Sequence, residues 1–449
     1  MVMQRTLAAL AEATDGRLVG RDIAFGALVS DSRRMEAGAL FVCLKGPRYD
    51  GHDYAEAAVA AGAGSLLTER AVAPEVSRVE VVDTLQAMGK FARAWRDAHR
   101  ARVVAVTGSN GKTTTKNLLA AVLAEEAPTF ATQGNLNNRI GLPLTLACLD
   151  DAHRYAVVEL GISLPGEMAE LAAIARPNAA IVTNVAPAHL EGFGDVEGVA
   201  REKGALPAAL AADGLAVAPA DLPWLAAWRE ACAVQRWLTF GFDDSADVCA
   251  QAVELTPDGT RFELVAPTGT VAVELRLLGR HNIANALAAA ALASGFGVPL
   301  DRIARGLARV APAAGRMSPR RLASGAVLID DSYNANPASL MAAVATAMAF
   351  ERPLWLALGD LGELGADAAT WHRRLGRELR DAGVARLYTL GPLAARAAAG
   401  FGEGGQTFEN ADDLAERLAT EFPSDAVLLV KGSRSARMER IVAALGGGD

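Results

Sequence analysis

Val103-Val-Ala-Val-Thr-Gly-Ser-Asn-Gly-Lys-Thr-Thr-Thr-Lys116 decides the fold of this 449-residue chain. Its first half, with Arg102, is a continuous apolar run, the pattern of a strand buried on both faces of a parallel sheet. A glycine-rich turn follows, then the start of a helix. Gly108 and Gly111 allow backbone N–H groups to turn inward around phosphate oxygens, and the helix N-terminus adds the positive end of its dipole. Thr107, Gly108, Ser109, Asn110 and Gly111 are therefore expected to cradle a nucleotide. Lys112 would reach its β- and γ-phosphates, and the Thr113 hydroxyl would bind Mg²⁺. The spacing is the short T-G-x-x-G-K-T form, because position 106 is Val. Such a loop leaves kinase, GTPase switch and ligase all open.

Working outward, further buried-strand runs follow at Tyr155–Glu159 and Ala179–Thr183, separated by helix-like segments. That alternation predicts a parallel sheet with crossover helices. Between about 247 and 278 the pattern becomes short alternating runs broken by Pro257-Asp-Gly259 and Pro267-Thr-Gly269, which predicts antiparallel hairpins on one edge. Upstream, Leu85, Met88, Phe91 and Trp95 form the apolar stripe of an amphipathic helix, a natural exit from a first domain. Downstream of Ala311–Gly315, four more apolar runs alternate with alanine-rich stretches: 326–330, 354–358, 386–390 and 426–430. They predict a second, smaller parallel α/β unit without the G-x-G-x-x-G dinucleotide fingerprint. The expected architecture is α/β in three domains, 1–99, 100–311 and 312–449. The first is small, the second is a phosphate-loop sheet with an antiparallel edge, and the third is Rossmann-like. No internal repeat is visible, and the low-complexity content stops at Gly446-Gly-Gly448.

Composition narrows the class. Hydrophobic residues make up 51% and charged residues 21%, which excludes disorder and coiled coil. The net charge of −8 argues against a nucleic-acid surface. No apolar stretch is long enough to span a membrane, and no cleavable apolar leader follows Met1. Cys43, Cys148, Cys232 and Cys249 are scattered without a C-x-x-C pair, as in a reducing compartment. A monomeric cytoplasmic protein is expected.

Neighbouring motifs separate the nucleotide-binding classes. T-G-x-x-G-K-T, Gly134-Asn-Leu-Asn-Asn-Arg-Ile-Gly-Leu-Pro143, Glu159-Leu-Gly161 and His189-Leu-Glu191 together resemble the Mur ligase family. These are ATP-dependent amide-bond ligases of peptidoglycan precursor synthesis, with relatives that add glutamate to folates. A switch or motor protein would need a Walker B aspartate, and Glu159 ends the strand instead.

Glu159 lies at the carboxyl edge of its strand, where α/β sheets bind ligands, and reads as a Mg²⁺ ligand or as a solvated strand-end carboxylate. The resemblance favours the ligand. It also implies that His189, in Ala188-His-Leu-Glu-Gly-Phe-Gly194, helps hold a second Mg²⁺, where a lone histidine otherwise reads as structural. By the same resemblance Lys203, in Lys203-Gly-Ala-Leu206, is a carbamylated lysine. A carbamate turns a cation into an anionic oxygen ligand, which suits a hard metal.

The resemblance further implies that Asn282, in Gly279-Arg-His-Asn-Ile-Ala-Asn285, contacts adenine, a residue that otherwise reads as a helix cap. Arg316 and Asp330 would reach the phosphates and ribose of ATP. Ser30, Ser32, Arg33, Asn135 and Asn138 would meet the UDP-linked substrate. Asp331-Ser-Tyr-Asn-Ala-Asn-Pro337 resembles the form found in the member that joins D-alanyl-D-alanine to UDP-N-acetylmuramoyl tripeptide. Tyr333, Asn334, Asn336, Lys431 and Arg434 would then contact the incoming dipeptide. The alternatives are another Mur ligase or a folylpolyglutamate synthase-type ligase.

Overall fold

The computed structural model describes residues 3–72 and 75–446. Met1, Val2 and the last three residues, with most of the glycine tail, lie outside the described residues. The chain forms three sheets in sequence order. The first has five short strands, with Arg17–Val19 antiparallel to Arg78–Glu80 at one edge and parallel pairing elsewhere.

The central sheet has nine strands. Its phosphate-loop strand, Arg102–Thr107, lies between Tyr155–Glu159 and Ala179–Val182, parallel to both. Strands Leu215–Pro219 and Arg236–Gly241 extend it, and the expected hairpins Val248–Thr256, Gly259–Ala266 and Gly269–Leu275 close one edge. Helices Lys112–Ala124 and Arg280–Gly295 cover one face. Residues Ala286 to Ala293 of the second helix are fully buried, because small side chains let it lie close against its neighbours.

The third sheet has six strands. Five are parallel, as expected, but Ser318–Arg321 adds an antiparallel edge beside Val327–Asp331. Its polar Ser-Pro-Arg-Arg sequence carries no apolar run, and Pro319 suits an outer strand that leaves one N–H side unpaired.

The amphipathic helix of the first segment runs over Thr84–Ala98, with Asp83 accepting the Gln86 N–H as its cap. It does more than leave the first domain. Met88, Phe91 and Trp95 share one core with Leu7, Leu10 and Leu40 on one side and with Leu142, Leu146 and Leu171 on the other. Arg96, buried at the same seam, donates to the carbonyls of Ala175 and Arg176 at 3.1 Å, where helix Glu167–Ala175 ends.

The C-terminal sheet keeps its own two cores, one on each face. It turns the carboxyl ends of strands Val327–Asp331, Val427–Lys431 and Leu354–Gly359 toward the carboxyl ends of the central strands. Ligands of open α/β sheets bind at such ends. Here two sets share one cleft.

Candidate functional site

The cleft encloses about 1300 Å³, lined by the phosphate loop, Glu159, His189, the Asn282 helix and the C-terminal loops at 315–317, 333–336 and 362–364. Gly108 and Gly111 hold φ of 151° and 78°, and an added Cβ would overlap the Thr183 hydroxyl and the Asn285 amide. Only glycine fits both places. The loop is pinned by the segment after strand Ala179–Val182. Thr183 Oγ1 donates to the Asn110 carbonyl at 2.5 Å, Asn184 Oδ1 accepts the Asn110 N–H at 2.9 Å, and the Ser109 hydroxyl donates to Ala186 O at 2.9 Å.

Lys112 Nζ donates to the Gly108 carbonyl at 2.7 Å. Burial pushes its ammonium below the usual lysine range, and Glu159 opposes that. Thr107, the first residue expected in the cradle, is fully buried and donates its hydroxyl to Leu160 O at 3.0 Å. It braces the strand end and does not line the cleft.

Glu159 is 2% exposed. Its Oε1 accepts from Asn137 Nδ2 at 2.7 Å, while the enclosed Oε2 has no hydrogen-bond partner. Behind it Lys116, also buried, donates to the Thr132 carbonyl at 2.6 Å, and the Thr132 hydroxyl accepts the Glu159 N–H at 3.0 Å. A buried carboxylate oxygen with no donor is costly, and a cation is the natural group to satisfy it. Among the described residues no three His, Cys, Asp or Glu side chains converge on one point. Glu159 could therefore serve as one ligand of a hard cation, but not as part of a closed all-protein cage.

His189 lines the cleft in a left-handed backbone conformation, φ 53°. Its Nδ1 lies 2.6 Å from Glu363 Oε2, an ion-pair distance with an angle outside hydrogen-bond geometry. That contact, with help from Lys112, holds the half-buried Glu363 carboxyl below the usual glutamate range. Lys203, on helix Val196–Ala208, is 2% exposed. Burial first, and repulsion from Lys112 second, push its pKa well below the ordinary lysine value.

The far wall differs in detail from the expectation. Asn282 Nδ2 donates to Leu278 O at 2.8 Å, and its Oδ1 accepts from Asn285 Nδ2 at 3.0 Å. Asn285 Oδ1 in turn accepts from Thr115 at 3.3 Å, so this pair ties its helix to the phosphate-loop helix. Gly279, not Asn282, is the N-cap. Arg316 donates to the Thr113 hydroxyl at 3.0 Å, with its guanidinium 4.1 Å from the Tyr333 ring centroid. The Asp330 carboxylate accepts the Ser332 hydroxyl at 2.6 Å and stays outside the lining, where Asp331 takes its place.

Tyr333, Asn334 and Asn336 all line the cleft. Asn336 caps helix Pro337–Met348 and donates across the cleft to Asn110 Oδ1 at 2.8 Å. Lys431 is buried in an ion pair with Asp331 and donates to Asn334 O at 3.0 Å, so its charge is already matched. Arg434 lies beside Tyr333 outside the cleft lining, its side chain 67% exposed and 3.8 Å from the Glu439 carboxylate.

Asn135 and Asn138 line the cleft, and Asn138 Oδ1 also accepts the Gly141 N–H at 2.9 Å. Ser30, Ser32 and Arg33 lie elsewhere, on and beside the short helix Ser32–Arg34. There Arg33 grips Asp31 through two hydrogen bonds of 2.9 and 2.7 Å, lowering the Asp31 carboxyl to about 2. Sequence reasoning missed Asn137, Thr183, Asn184, Asn285 and Glu363. Asn137 and Asn285 stand inside motifs already singled out, Thr183 and Asn184 end the strand run that starts at Ala179, and Glu363 lies in Gly359-Asp-Leu-Gly-Glu-Leu-Gly365, a segment that shares the resemblance; in none of them does the sequence show the partner.

Three family models match in order: "Mur ligase family, catalytic domain" over residues 26–96, "Mur ligase middle domain" over 106–293, and "Mur ligase, glutamate ligase domain" over 315–434. The chain is 43% identical to the UDP-N-acetylmuramoyl-tripeptide–D-alanyl-D-alanine ligase of Escherichia coli K12, covering 98% of each chain. It is 34% identical to the Bacillus subtilis enzyme of that name, again over 98% of each. A crystal structure of MurF from Acinetobacter baumannii superposes with a TM-score of 0.91 at 34% identity, covering 99% of this chain and 100% of that one. MurF from Thermotoga maritima in complex with ADP gives 0.84 at 28% identity, covering 94% and 97%. With these matches spanning all three sheets, the chain belongs to the Mur ligase family.

Proposed function

We propose that the protein joins D-alanyl-D-alanine to UDP-N-acetylmuramoyl tripeptide at the expense of ATP, giving the pentapeptide, ADP and phosphate. The observation that carries this reading is the one cleft in which Lys112 and the Glu159 carboxylate, its Oε2 without a partner, face Tyr333-Asn-Ala-Asn336 of the C-terminal sheet. The 43% identity to a ligase of that name supports the choice of substrates. The reading takes the three segments 1–99, 100–311 and 312–449 as working units, acting within one chain. All four thiols are free, which fits a reducing cytoplasm.

In the first step a substrate carboxylate oxygen attacks the γ-phosphorus, and the bond to the ADP oxygen breaks. In the second the dipeptide amine attacks the acyl carbon, phosphate leaves, and a proton is lost from nitrogen. Lys112 offsets the charge that builds on the phosphates as two anions approach. Thr113 and Glu159 would hold one magnesium ion, and His189 with Lys203 the second; bound there, the metal supplies charge neutralisation and alignment.

Lys203 fits the carbamate role. Its desolvated amine favours the neutral form, and only a neutral amine can add to CO₂, forming an N–C bond and releasing a proton. Arg316 reaches toward the phosphates from the C-terminal side and brings that domain over the nucleotide, excluding water from the acyl phosphate. Asn334 and Asn336 offer amide groups to the neutral dipeptide, and Arg434 a cation to its terminal carboxylate.

The test is phosphate release from ATP with UDP-muramoyl tripeptide and each amine offered singly. D-Ala-D-Ala should support turnover, and L-Ala, D-Glu or a diamino acid should not. Faster ligation of a single amino acid to a shorter muramoyl precursor would leave only the ligase class standing.

A further inference from the structure

The loop that follows strand Leu354–Gly359 is held from several sides. Leu361 and Leu364 are buried. The Leu361 N–H donates to Nε2 of the fully buried His372 at 3.0 Å. Asp360 accepts the Ala394 N–H on its carboxylate and the Ser433 hydroxyl on its carbonyl, both at 2.6 Å. Between these anchors Glu363 holds φ of 60°. A residue with a Cβ seldom adopts that conformation, and it persists where the surroundings fix it.

The anchored turn sends the Glu363 carboxylate across the cleft. Its Oε2 stands 2.6 Å from His189 Nδ1, an enclosed atom with no hydrogen-bond partner. His189 belongs to the central sheet and Glu363 to the C-terminal one, so the pair exists only while the two are docked. Metal-binding histidines commonly donate the ring N–H that faces away from the metal to a carboxylate, which fixes tautomer and ring orientation.

We propose that Glu363 is a positioning residue: accepting the Nδ1–H of His189 from the opposite domain, it presents Nε2 to a divalent cation. This rests on the reading of His189 as a cation ligand. It makes cation binding depend on domain docking, and by linkage the cation favours docking in return. A small turn of the imidazole brings its N–H onto the carboxylate.

The experiment uses the full chain and Mn²⁺ alone, titrated by electron paramagnetic resonance, with Glu363→Ala, Glu363→Gln and His189→Ala beside the parent. Glu363→Ala should weaken Mn²⁺ binding by roughly 10-fold or more, the range seen when such outer partners are lost. Glu363→Gln, whose amide oxygen still accepts an N–H, should recover part of it. Nitrogen-15 spectra of the parent with Mg²⁺ should place the His189 proton on Nδ1, and Glu363→Ala should lose that preference. Unchanged Mn²⁺ affinity in Glu363→Ala, with His189→Ala weakened, overturns the proposal and leaves the cation reading intact. Spectra showing Nδ1 as the metal-bound nitrogen also overturn it. If His189→Ala binds Mn²⁺ like the parent, the reading beneath it falls as well. Matching thermal melts for the parent and Glu363→Gln keep the comparison free of folding defects.

Discussion

Lys112 begins its helix with its side chain in the cleft, so removing that side chain tests chemistry without disturbing a core. Lys112→Ala should keep the parent's circular dichroism and melting point. Its turnover should fall by at least about 10²–10³-fold, the effect of losing one group that stabilises transition-state charge. Lys203 makes a different demand, because its proposed contribution is an oxygen anion. Lys203→Ala should be nearly inactive, and formate or acetate should restore part of the rate by placing a carboxylate where the carbamate stood. Full activity in protein whose mass shows an unmodified Lys203, assayed without CO₂, would count against that role. His281 supplies a pH prediction. Burial pushes its imidazole down to about 4. An unfolded histidine takes up its proton near 6.5, so acid favours the unfolded chain. Stability should fall as pH drops from about 6.5 toward 4, and His281→Gln should flatten that slope in denaturant titrations.

At the scale of elements, the groups lining the cleft come mostly from the carboxyl ends of strands and the turns that follow, while Lys203 is set apart on helix Val196–Ala208. The phosphate loop is a turn between Arg102–Thr107 and Lys112–Ala124, kept in shape by Thr183 and Asn184 from the next strand's end. Asn336 has two tasks of this kind. It forms a capping box with Ser339 at the head of Pro337–Met348, and it reaches Asn110 in the loop opposite. Asn336→Ala should cost about 1 kcal/mol of stability from the lost cap. It should also raise KM for ATP or the dipeptide, since the cleft loses a cross-domain tie. Asn336→Asp retains the cap acceptor but not the amide donor. It should therefore recover the melting temperature while leaving the kinetic defect, which steady-state assays with each substrate varied will show.

Over the whole molecule, three sheets do not mean three independent folding units. Phe91 and Trp95 lie in a core that runs without interruption from Leu10 to Leu171, across the seam between the first and central sheets. The C-terminal cores include no residue from either. Calorimetry should accordingly resolve two cooperative transitions, one for the first two sheets together and one for the third. Phe91→Ala should destabilise the joint transition by about 3–5 kcal/mol and leave the other in place. Three separate transitions, or a joint one unmoved by Phe91→Ala, would refute the shared core. The C-terminal sheet touches the rest through polar ties such as Arg316–Thr113 and Asn336–Asn110, contacts that can break and re-form during a reaction cycle.

Sequence by itself determined what depends on local pattern. The strand, turn and helix around 103–116 were legible because a buried strand needs an unbroken apolar run and the turn needs glycines at φ 151° and 78°. The hairpins at 257–259 and 267–269 followed from their turn residues, and Glu159 from its place at a strand end. Tertiary structure decided what depends on partners far along the chain. Lys431 has the sequence context of a substrate cation, yet Asp331, 100 residues away, already pairs with it. The Asn282 amide reads as an adenine contact or a helix cap until Leu278 and Asn285 are seen to engage it and Gly279 to hold the cap. The polar strand Ser318–Arg321 pairs through its backbone, which no side-chain period reports. Glu363 and His189 lie 174 positions apart and meet only because two sheets turn their carboxyl ends toward one cleft. Local pattern fixes backbone conformation and burial. Which charges meet is set by packing between elements, where distance along the chain carries no information.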